Sequence, residues 1–461
     1  MKRRTRIIGA LFLSFTVLTC GDIMAQESNT DTGQISKNTN GILRLDLKTA
    51  LSIAHDNNPT LQIADLEIQR VDYAKKESIG NLLPSVSATG QYTNSIMKSV
   101  MFMPASMSAV MGGASYMEIG YKNSFTGTIS AQMPLINFSL WESIKAKQTQ
   151  IDLIVEQSRS SSLDMTKQVK DAYFNVLLSK SSLEVLEQSI SNAKESLRTT
   201  KTAYEHGTTS EYDYLSAQIQ VNNLNPSYIS AKNSVELAIL QLKILLSLPE
   251  TQEIEVTEKL EDYEENFSLL DELETEKALT NNSQLRQLDL NIASLQHSLK
   301  TIKYQHLPTL SAFGQYVYQT QAEDFKFSDY DWVPSASVGL TLSIPIFNGN
   351  TYLNQQKQTE ISLKELQLQR SYTADGMNIQ VLSALKNMKA AKEQLVVNKE
   401  AIAQAERGYE IAKVRYQTGS GTILELNDSQ LALTKSKLNY QQAIYDYISA
   451  QATYENVVGK Q

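Results

Sequence analysis

Apolar and small polar residues alternate along two short segments of the chain. From Ala336 to Ile344 every second residue is apolar and the others are Ser, Thr or Gly, and the segment from Phe125 to Met133 alternates in the same way. A period of two places the two sets of side chains on opposite faces of a β-strand. Segments of about 10 residues with one apolar face fit the strands of an outer-membrane barrel, although half-buried strands of a soluble sheet would alternate as well.

After each of these segments the period changes to seven. One apolar stripe runs through Val169, Val176, Leu183, Ile190, Leu197 and Tyr204, and a second runs through Val381, Met388, Leu395, Ile402, Tyr409 and Tyr416. Sustained heptads predict long helices packed as in a coiled coil. A single helix from Asn137 to Tyr204 would be roughly 100 Å long, so we expect it to pack along other helices.

Glycines mark the ends of both heptad stripes. Gly207 follows the first stripe, and Gly419 and Gly421 follow the second. Because glycine adopts the left-handed conformation that ends many helices, each rod is predicted to turn back there into a second helix. Pro226 lies in the first return helix and is expected to kink or interrupt it.

The chain is internally duplicated. The segment 54–61 is similar to 278–285, and 83–92 is similar to 307–316 at the same separation of 224 positions, while 133–137 matches 344–348. Long-period similarity of this kind predicts a repeated structural unit. We therefore divide the chain into a first repeat at 42–249 and a second at 277–461, each with the order helix, strand, strand, long helix, helix. The acidic segment 250–276 between them is expected to be a surface connection.

The N-terminus has the features of a secretory signal. Lys2, Arg3 and Arg4 precede an apolar stretch that is too short to span a bilayer, which predicts a signal peptide at 1–25 and a flexible segment at 26–41. Cys20 offers an alternative, because the residues before it loosely resemble a lipoprotein signal. The rest of the sequence has no apolar run of about 18 residues, so a role within a membrane would have to use strands.

The net charge and the absence of known motifs argue against several functional classes. The net charge of -8 argues against nucleic-acid binding, which needs a basic surface. The sequence has no GxSxG, phosphate-loop or HExxH motif, which argues against an enzyme. The four histidines show no ligand spacing, so neither a metal site nor a cofactor is predicted.

Two loops have unusual compositions. Six of the 12 methionines lie between Asn94 and Asn123. Thioethers can bind copper or silver, but a flexible apolar loop is the preferred interpretation. The second loop carries Phe325, Phe327, Tyr330 and Trp332, which we expect to lie in an interfacial aromatic girdle.

Four strands per chain are too few to close a sheet in a membrane. An open edge would leave backbone groups unpaired in hydrocarbon at a cost of several kcal/mol each, so the chain must share its sheet with copies of itself. Three copies give twelve strands and room for a lumen. The predicted fold is therefore α+β and mostly α, with coiled-coil-like helices forming an α-barrel and four transmembrane strands per chain contributing to a shared 12-stranded trimeric β-barrel.

The ordered, duplicated motifs resemble those of the TolC family of outer-membrane efflux proteins. They are Leu45–Leu51 with Asn58–Pro59, Pro134–Leu135, Pro345–Gly349, and the two turns at Tyr204/Gly207 and Tyr416/Gly419. The resemblance implies a passive channel-tunnel of a tripartite efflux or type I secretion system. It also implies a homotrimer in outer-membrane lipid that extends into the periplasm. A periplasmic adaptor would dock at the helix turns around Gly207, Gly419 and Gly421, and would connect the channel to an inner-membrane pump of RND or ABC type.

The same resemblance implies a gate at the channel entrance. Glu425 and Asp428 match two carboxylates that ring the tunnel mouth in the family, and Asp213 is the first-repeat equivalent of Glu425. Ordinary solvated acids on a helix remain the alternative interpretation. Tyr416 matches the gate tyrosine of the family, but Gly421 stands where the family has an arginine, which puts the closing linkage in doubt.

Two other classes of protein stay open at this point. One is a structural periplasmic coiled coil without a pore. The other is a ligand-binding outer-membrane lipoprotein anchored through Cys20.

Overall fold

The computed structural model describes residues 42–106, 112–267 and 279–460. The predicted signal peptide, the flexible N-terminal segment, Cys20, the end of the acidic connector, Met107 and Met111 lie outside these ranges. None of the helices in the described part of the chain carries an apolar stretch that could span a lipid bilayer.

The described residues form a repeated series of helices and strands. The first repeat contains β1 (Leu43–Leu45), α1 (Leu47–Asn57), α2 (Pro59–Gly80), β2 (Ser85–Asn94), β3 (Ser99–Phe102), β4 (Tyr116–Ile119), β5 (Asn123–Ile136), α3 (Phe138–Glu205) and α4 (Glu211–Leu245). After β6 (Ile254–Val256), the second repeat contains α5 (Ser283–Tyr304), β7 (Thr309–Ala322), β8 (Val333–Ser343), α6 (Thr351–Gln417) and α7 (Ile423–Val458). The predicted mostly helical α+β fold is confirmed.

The long helices follow the heptad stripes. Helix α3 has 68 residues and begins one residue after the predicted position, and α6 has 67 residues. Val169, Val176 and Val381 on the stripes are almost completely buried. Helix α3 packs against α4, α5 and α7, and α6 packs against α5 and α7. Burial of the stripes therefore holds both rods in a helical bundle, as coiled-coil packing requires.

Pro226 does not interrupt its helix, which was one of the two expected outcomes, and a kink there stays a prediction. Helix α4 is continuous from Glu211 to Leu245 with Pro226 inside it. Proline removes one backbone donor and leaves the carbonyl four residues earlier, at Asn222, without its helical partner. Both Pro226 and Asn222 are exposed, so water can satisfy that carbonyl, and packing of α4 along α3 maintains the helix.

Four of the strands form the largest sheet, with the order β2-β5-β7-β8, and β1–β6 and β3–β4 are separate two-stranded pairs. All three pairings in the largest sheet are antiparallel, and β2 and β8 are the two edges. The sheet joins the two repeats, because β5 of the first pairs with β7 of the second. The helices leave the sheet at one end, and the β3–β4 hairpin leaves it at the other, between Asn94 and Asn123.

Two asparagines show the duplication at the level of single side chains. Asn58 accepts a hydrogen bond from Thr60 N–H at the start of α2 and donates one to the Leu245 carbonyl at the end of α4 (2.8 Å). Asn282 accepts from Leu285 N–H at the start of α5 and donates to the Val457 carbonyl at the end of α7 (2.6 Å). Each buried amide thus joins the helix that precedes the sheet strands of its repeat to the last helix of that repeat.

The acidic connector is more than a solvated surface link. Strand β6 pairs in parallel with β1, and Leu260 is completely buried in the largest core cluster. The Glu258 carboxylate accepts hydrogen bonds from Tyr173 (2.5 Å) and Tyr263 (2.7 Å). The connector therefore packs on the helices, because Leu260 is buried among them and Glu258 binds the buried Tyr173 of α3.

Candidate functional site

The two helix turns have the same backbone geometry. Gly207 and Gly419 both have a left-handed backbone, with φ of 71° and 72°. At each turn the glycine N–H donates to the carbonyl three residues before it, at Tyr204 and Tyr416. The N–H of the residue that follows each glycine donates to a carbonyl five residues earlier in the chain. This Schellman arrangement ends α3 and α6 and reverses the chain.

The two turns lie together at one end of the helical bundle. Ala217 from α4, Tyr409 from α6, and Ile423 and Leu426 from α7 form a buried cluster there. Leu197 from α3 packs against this cluster. All four helices of the two hairpins therefore meet where the gate and docking residues were expected.

Glu425 lies in the first turn of α7. The Thr422 hydroxyl accepts a hydrogen bond from the Glu425 N–H (3.2 Å), which caps the helix. The Glu425 carboxylate is half-exposed and lies 3.6 Å from the Arg415 guanidinium. Asp428 is one helical turn further on and exposed, so both carboxylates lie on one face of α7.

Asp213 has the equivalent position in the first turn of α4, but its carboxylate is bound within its own turn. It accepts hydrogen bonds from the Thr209 hydroxyl (2.6 Å) and from the Ser210 N–H (3.4 Å), while the Ser210 hydroxyl accepts from the Asp213 N–H. The bond from Thr209 lowers the pKa of Asp213 most, against a smaller opposing effect of burial. Asp213 therefore acts as a helix cap in this structure.

Tyr416 connects the two hairpins. Its hydroxyl lies 2.8 Å from the hydroxyl of Thr200 near the end of α3. Thr200 is completely buried. A polar contact thus joins α6 to α3 just before both helices turn.

Gly421 has no side chain, but the side chain of Arg415 lies at the same turn. The Arg415 guanidinium donates to the Ser420 carbonyl (3.2 Å) in addition to pairing with Glu425. A Cβ atom at Gly421 would lie 3.0 Å from the Cβ of Arg415, so a larger residue would crowd the arginine. Arg415 and Thr200 were not among the candidate gate residues predicted from the sequence, because contacts between different helices are not visible in the sequence.

The sheet at the other end of the molecule has one uncharged polar face. Within the four strands, which are described in full, no Asp, Glu, Lys or Arg occurs. The register aligns Thr89, Thr128, Val317 and Ser335 across the sheet. This face is built mainly from Ser85, Ser87, Thr89, Gln91, Ser124, Thr126, Thr128, Ser130, Gln132, Gln315, Gln319, Ser335, Ser337 and Thr341.

The opposite face is apolar and ends in aromatic rings. Tyr92 and Phe125 stack with centroids 5.0 Å apart, Phe327 packs edge-on to Phe125, and Trp332 stacks on Tyr318. Phe325 and Tyr330 join the same cluster. These rings lie at the sheet end farthest from the helices, where an aromatic girdle was predicted, and the girdle itself stays a prediction.

The fold and sequence match known outer-membrane proteins. The sequence profile described as Outer membrane efflux protein matches residues 50–247 and 275–460. The chain is 24% identical to alkaline protease secretion protein AprF of Pseudomonas aeruginosa over 351 residues, covering 72% of this chain and 68% of AprF. It is 22% identical to outer membrane protein TolC of Vibrio cholerae, covering 72% and 76% of the two chains. The crystal structure of the outer membrane protein VceC from Vibrio cholerae superposes with a TM-score of 0.73 at 14% identity, covering 90% of this chain and 96% of VceC.

Proposed function

The chain belongs to the outer membrane efflux protein family, and from this premise we propose that it is one protomer of a passive trimeric channel in the outer membrane. The channel takes substrates from an inner-membrane pump and the periplasm and releases them outside the cell. It serves a tripartite efflux system or a type I secretion system.

The open sheet is the observation that carries this proposal. One face is apolar and the other is polar, and neither edge strand, β2 or β8, has a further partner among the described residues of the chain. Because the four strands alternate in direction, β8 of one chain runs antiparallel to β2 of the next. Three chains thus close into twelve strands with the polar faces inward, which satisfies every edge and leaves a lumen.

The helices support the same assembly. Several large apolar side chains that remain exposed on the single chain lie along the helices, including Leu237, Ile244, Leu368, Tyr372 and Ile379. Exposed apolar surface of this extent is typical of an interface. In the trimer these side chains pack against neighbouring protomers, and twelve helices surround a tunnel below the barrel.

Cysteine cross-linking tests the assembly. We expect Thr89→Cys on β2 combined with Ser335→Cys or Ser337→Cys on β8 to give disulfide-linked dimers and trimers in outer-membrane fractions, because these residues lie on the same polar face. Thr89→Cys with Val338→Cys, which faces the other way, is the matched control and should link poorly. Only monomers in every combination would contradict the proposed closure and would favour a coiled coil without a pore.

The helix turns form the periplasmic end in this proposal. The sheet lies in the membrane, so the turns at Gly207, Gly419 and Gly421 lie at the opposite end of the rods. An adaptor protein docks there and connects the channel to a pump of RND or ABC type.

The two repeats, 42–249 and 277–461, act as structural units joined by the connector at 250–276.

The same turns form the gate in this proposal. Three copies of Glu425 and Asp428 gather six carboxylates around the tunnel mouth and favour cations. The contact between Tyr416 and Thr200 holds the two hairpins together, and Arg415 holds Glu425 in the closed state. The Arg415–Glu425 pair is half-exposed and is worth at most about 1 kcal/mol, so it can open without a large energy input.

Ion selectivity tests the gate. The double variant Glu425→Gln/Asp428→Asn should lower the preference for cations over anions in reconstituted channels, because it removes the charge and retains the shape. Glu400→Gln, on an exposed part of α6, is the matched control. Unchanged selectivity in the double variant would remove these carboxylates from the gate.

A further inference from the structure

The β3–β4 hairpin carries methionines in a defined arrangement. Met101 on β3 lies directly opposite Met117 on β4. Met103 follows two residues after Met101, and its N–H donates to the Ser115 carbonyl (3.0 Å), which continues the pairing by one step. Directly opposed residues and residues two apart share one face of a hairpin, so the three thioethers lie on the same side.

The other face of this hairpin has different chemistry. Val100 lies opposite Glu118, and Phe102 lies opposite Tyr116. Met101, Met103 and Met117 therefore share one face of the hairpin, apart from the charged and aromatic side chains of the other face. The segment from Asn94 to Asn123 contains Ile and Val but no Leu, so methionine stands where a strand would ordinarily carry another apolar residue.

The thioether face is open to the solvent. Met101 is 54% exposed and Met117 is 42% exposed, so neither side chain is used to fill a core. Directly opposed residues have Cβ atoms about 5 Å apart, and diagonal neighbours about 7–8 Å apart. The unbranched methionine side chain has three rotatable bonds, which lets the three sulfur atoms converge on one point.

The hairpin is held at its base. The Lys98 ammonium pairs with the Glu323 carboxylate of the second loop (2.5 Å), and the Ser95 N–H donates to the Lys122 carbonyl (2.7 Å). The thioether face is therefore presented by a fixed ribbon rather than by a freely moving chain. Fixed ligands lose less conformational entropy when they bind an ion.

We propose that Met101, Met103 and Met117 form a binding site for a soft monovalent cation, Cu(I) or Ag(I), at the outer end of the sheet. Thioether sulfur is a soft, neutral ligand that selects such ions over Mg²⁺, Ca²⁺ and other ions that prefer oxygen. Each chain carries one site. Binding here does not require conduction, so this proposal and the proposed channel can fail separately.

Silver titration tests the site. The full chain is purified in detergent and titrated calorimetrically with silver nitrate in chloride-free buffer. We expect one class of saturable silver sites, lost in the triple variant Met101→Leu/Met103→Leu/Met117→Leu. Leucine keeps the apolar surface and removes only the sulfur, so the variant tests the thioethers alone. If the hairpin served only as an apolar surface, the unmodified protein would not bind silver either.

Two further triple variants locate the binding. Met133→Leu/Met377→Leu/Met388→Leu removes three thioethers elsewhere in the chain, and Met97→Leu/Met107→Leu/Met111→Leu removes the other three of the same loop. Both should retain silver binding. The proposal would be overturned if the unmodified protein bound no silver. It would also be overturned if either of these variants lost silver binding while the variant at Met101, Met103 and Met117 retained it.

Discussion

Asn282 satisfies backbone groups of two helices with one buried side chain. Its carbonyl caps α5 and its amide donates to Val457 at the end of α7. Removing a cap costs about 1 kcal/mol, and a buried carbonyl that loses its donor costs about 1–3 kcal/mol more. Asn58 has the same role in the first repeat.

We predict that Asn282→Ala lowers the free energy of unfolding by about 2 kcal/mol or more, because both interactions are lost together. Thermal unfolding of the purified protein measures the change. Asn233→Ala, at an exposed position on α4, is the control and should have little effect. Equal stability of the two variants would show that the asparagine does not join the helices.

Gly419 has a left-handed backbone that an L side chain adopts at a cost of about 1–2 kcal/mol. We predict that Gly419→Ala destabilises the turn by that amount. Gly408→Ala is the matched control, because Gly408 lies within α6 with open space around it and should gain up to about 1 kcal/mol from better helix propensity. Thermal shifts of opposite sign are expected, and shifts of the same sign would contradict the turn geometry.

The contacts of the residues proposed for the gate were the least predictable from sequence. Repeat comparison aligned Asp213 with Glu425, but it could not show that Thr209 and Ser210 bind the Asp213 carboxylate. Thr200 and Tyr416 are 216 positions apart in sequence, and their contact depends on how two coiled coils pack. Periodicity indicates which face of a helix is buried, and it does not identify the residue on the facing helix.

At the scale of elements, the acidic connector docks through carboxylates. Glu264 accepts a hydrogen bond from Tyr440 (2.7 Å) and pairs with Lys399 (3.0 Å). Burial raises the pKa of Glu264, but the bonds from Tyr440 and Lys399 outweigh it and leave the pKa below its ordinary value. A carboxyl group with a lowered pKa stabilises the fold above its unfolded-state pKa, and this contribution is lost as the pH falls through the folded-state value.

We therefore predict that thermal stability falls as the pH drops below about 4.3, the ordinary pKa of Glu, and that Glu264→Gln flattens part of this dependence. Unfolding temperatures measured between neutral pH and pH 3 test this. Glu400→Gln, on an exposed helix position, should keep the dependence of the unmodified protein. If Glu264→Gln did so too, Glu264 would not contribute to docking.

The pairing of β7 with β8 includes a close contact. A Cβ atom at Gly339 would lie 2.8 Å from two ring atoms of Phe313, which is directly opposite it. We predict that Gly339→Ala displaces the ring, destabilises the sheet by about 1 kcal/mol or more, and lowers the temperature at which the oligomer dissociates on gels. The double variant Gly339→Ala/Phe313→Leu should recover stability.

Gly314→Ala is the control for that contact. Its Cβ atom would meet only the Val338 side chain at 3.6 Å, an ordinary van der Waals distance. An unchanged dissociation temperature for Gly339→Ala would show that the ring moves aside without cost.

The strands and long helices were largely predictable from the two periods of the hydrophobic pattern, two and seven residues. The period of two identified β5 and β8, and the period of seven placed the start of α3 within one residue. The expected interruption at Pro226 does not occur, because packing along the whole helix outweighs the local effect of proline. The connector was expected to be a surface connection, and its docking was not foreseen, because charge indicates exposure and does not reveal tyrosine partners elsewhere in the chain.

At the scale of the whole molecule, the single chain leaves two kinds of surface uncovered, one on the sheet and one on the helices. Among the described residues, the sheet is open at β2 and β8, and apolar side chains along the helices remain exposed. Neither surface is stable alone in lipid or water. In the proposed trimer, three copies complete both surfaces at once, and each chain contributes a third of the pore.

Conductance across a planar lipid bilayer is the most direct test of this account. Purified trimers that dissociate only on heating should insert and give discrete, cation-favouring conductance steps, because the polar faces of twelve strands enclose a water-filled lumen. Folded trimers that insert without any conductance would contradict the account.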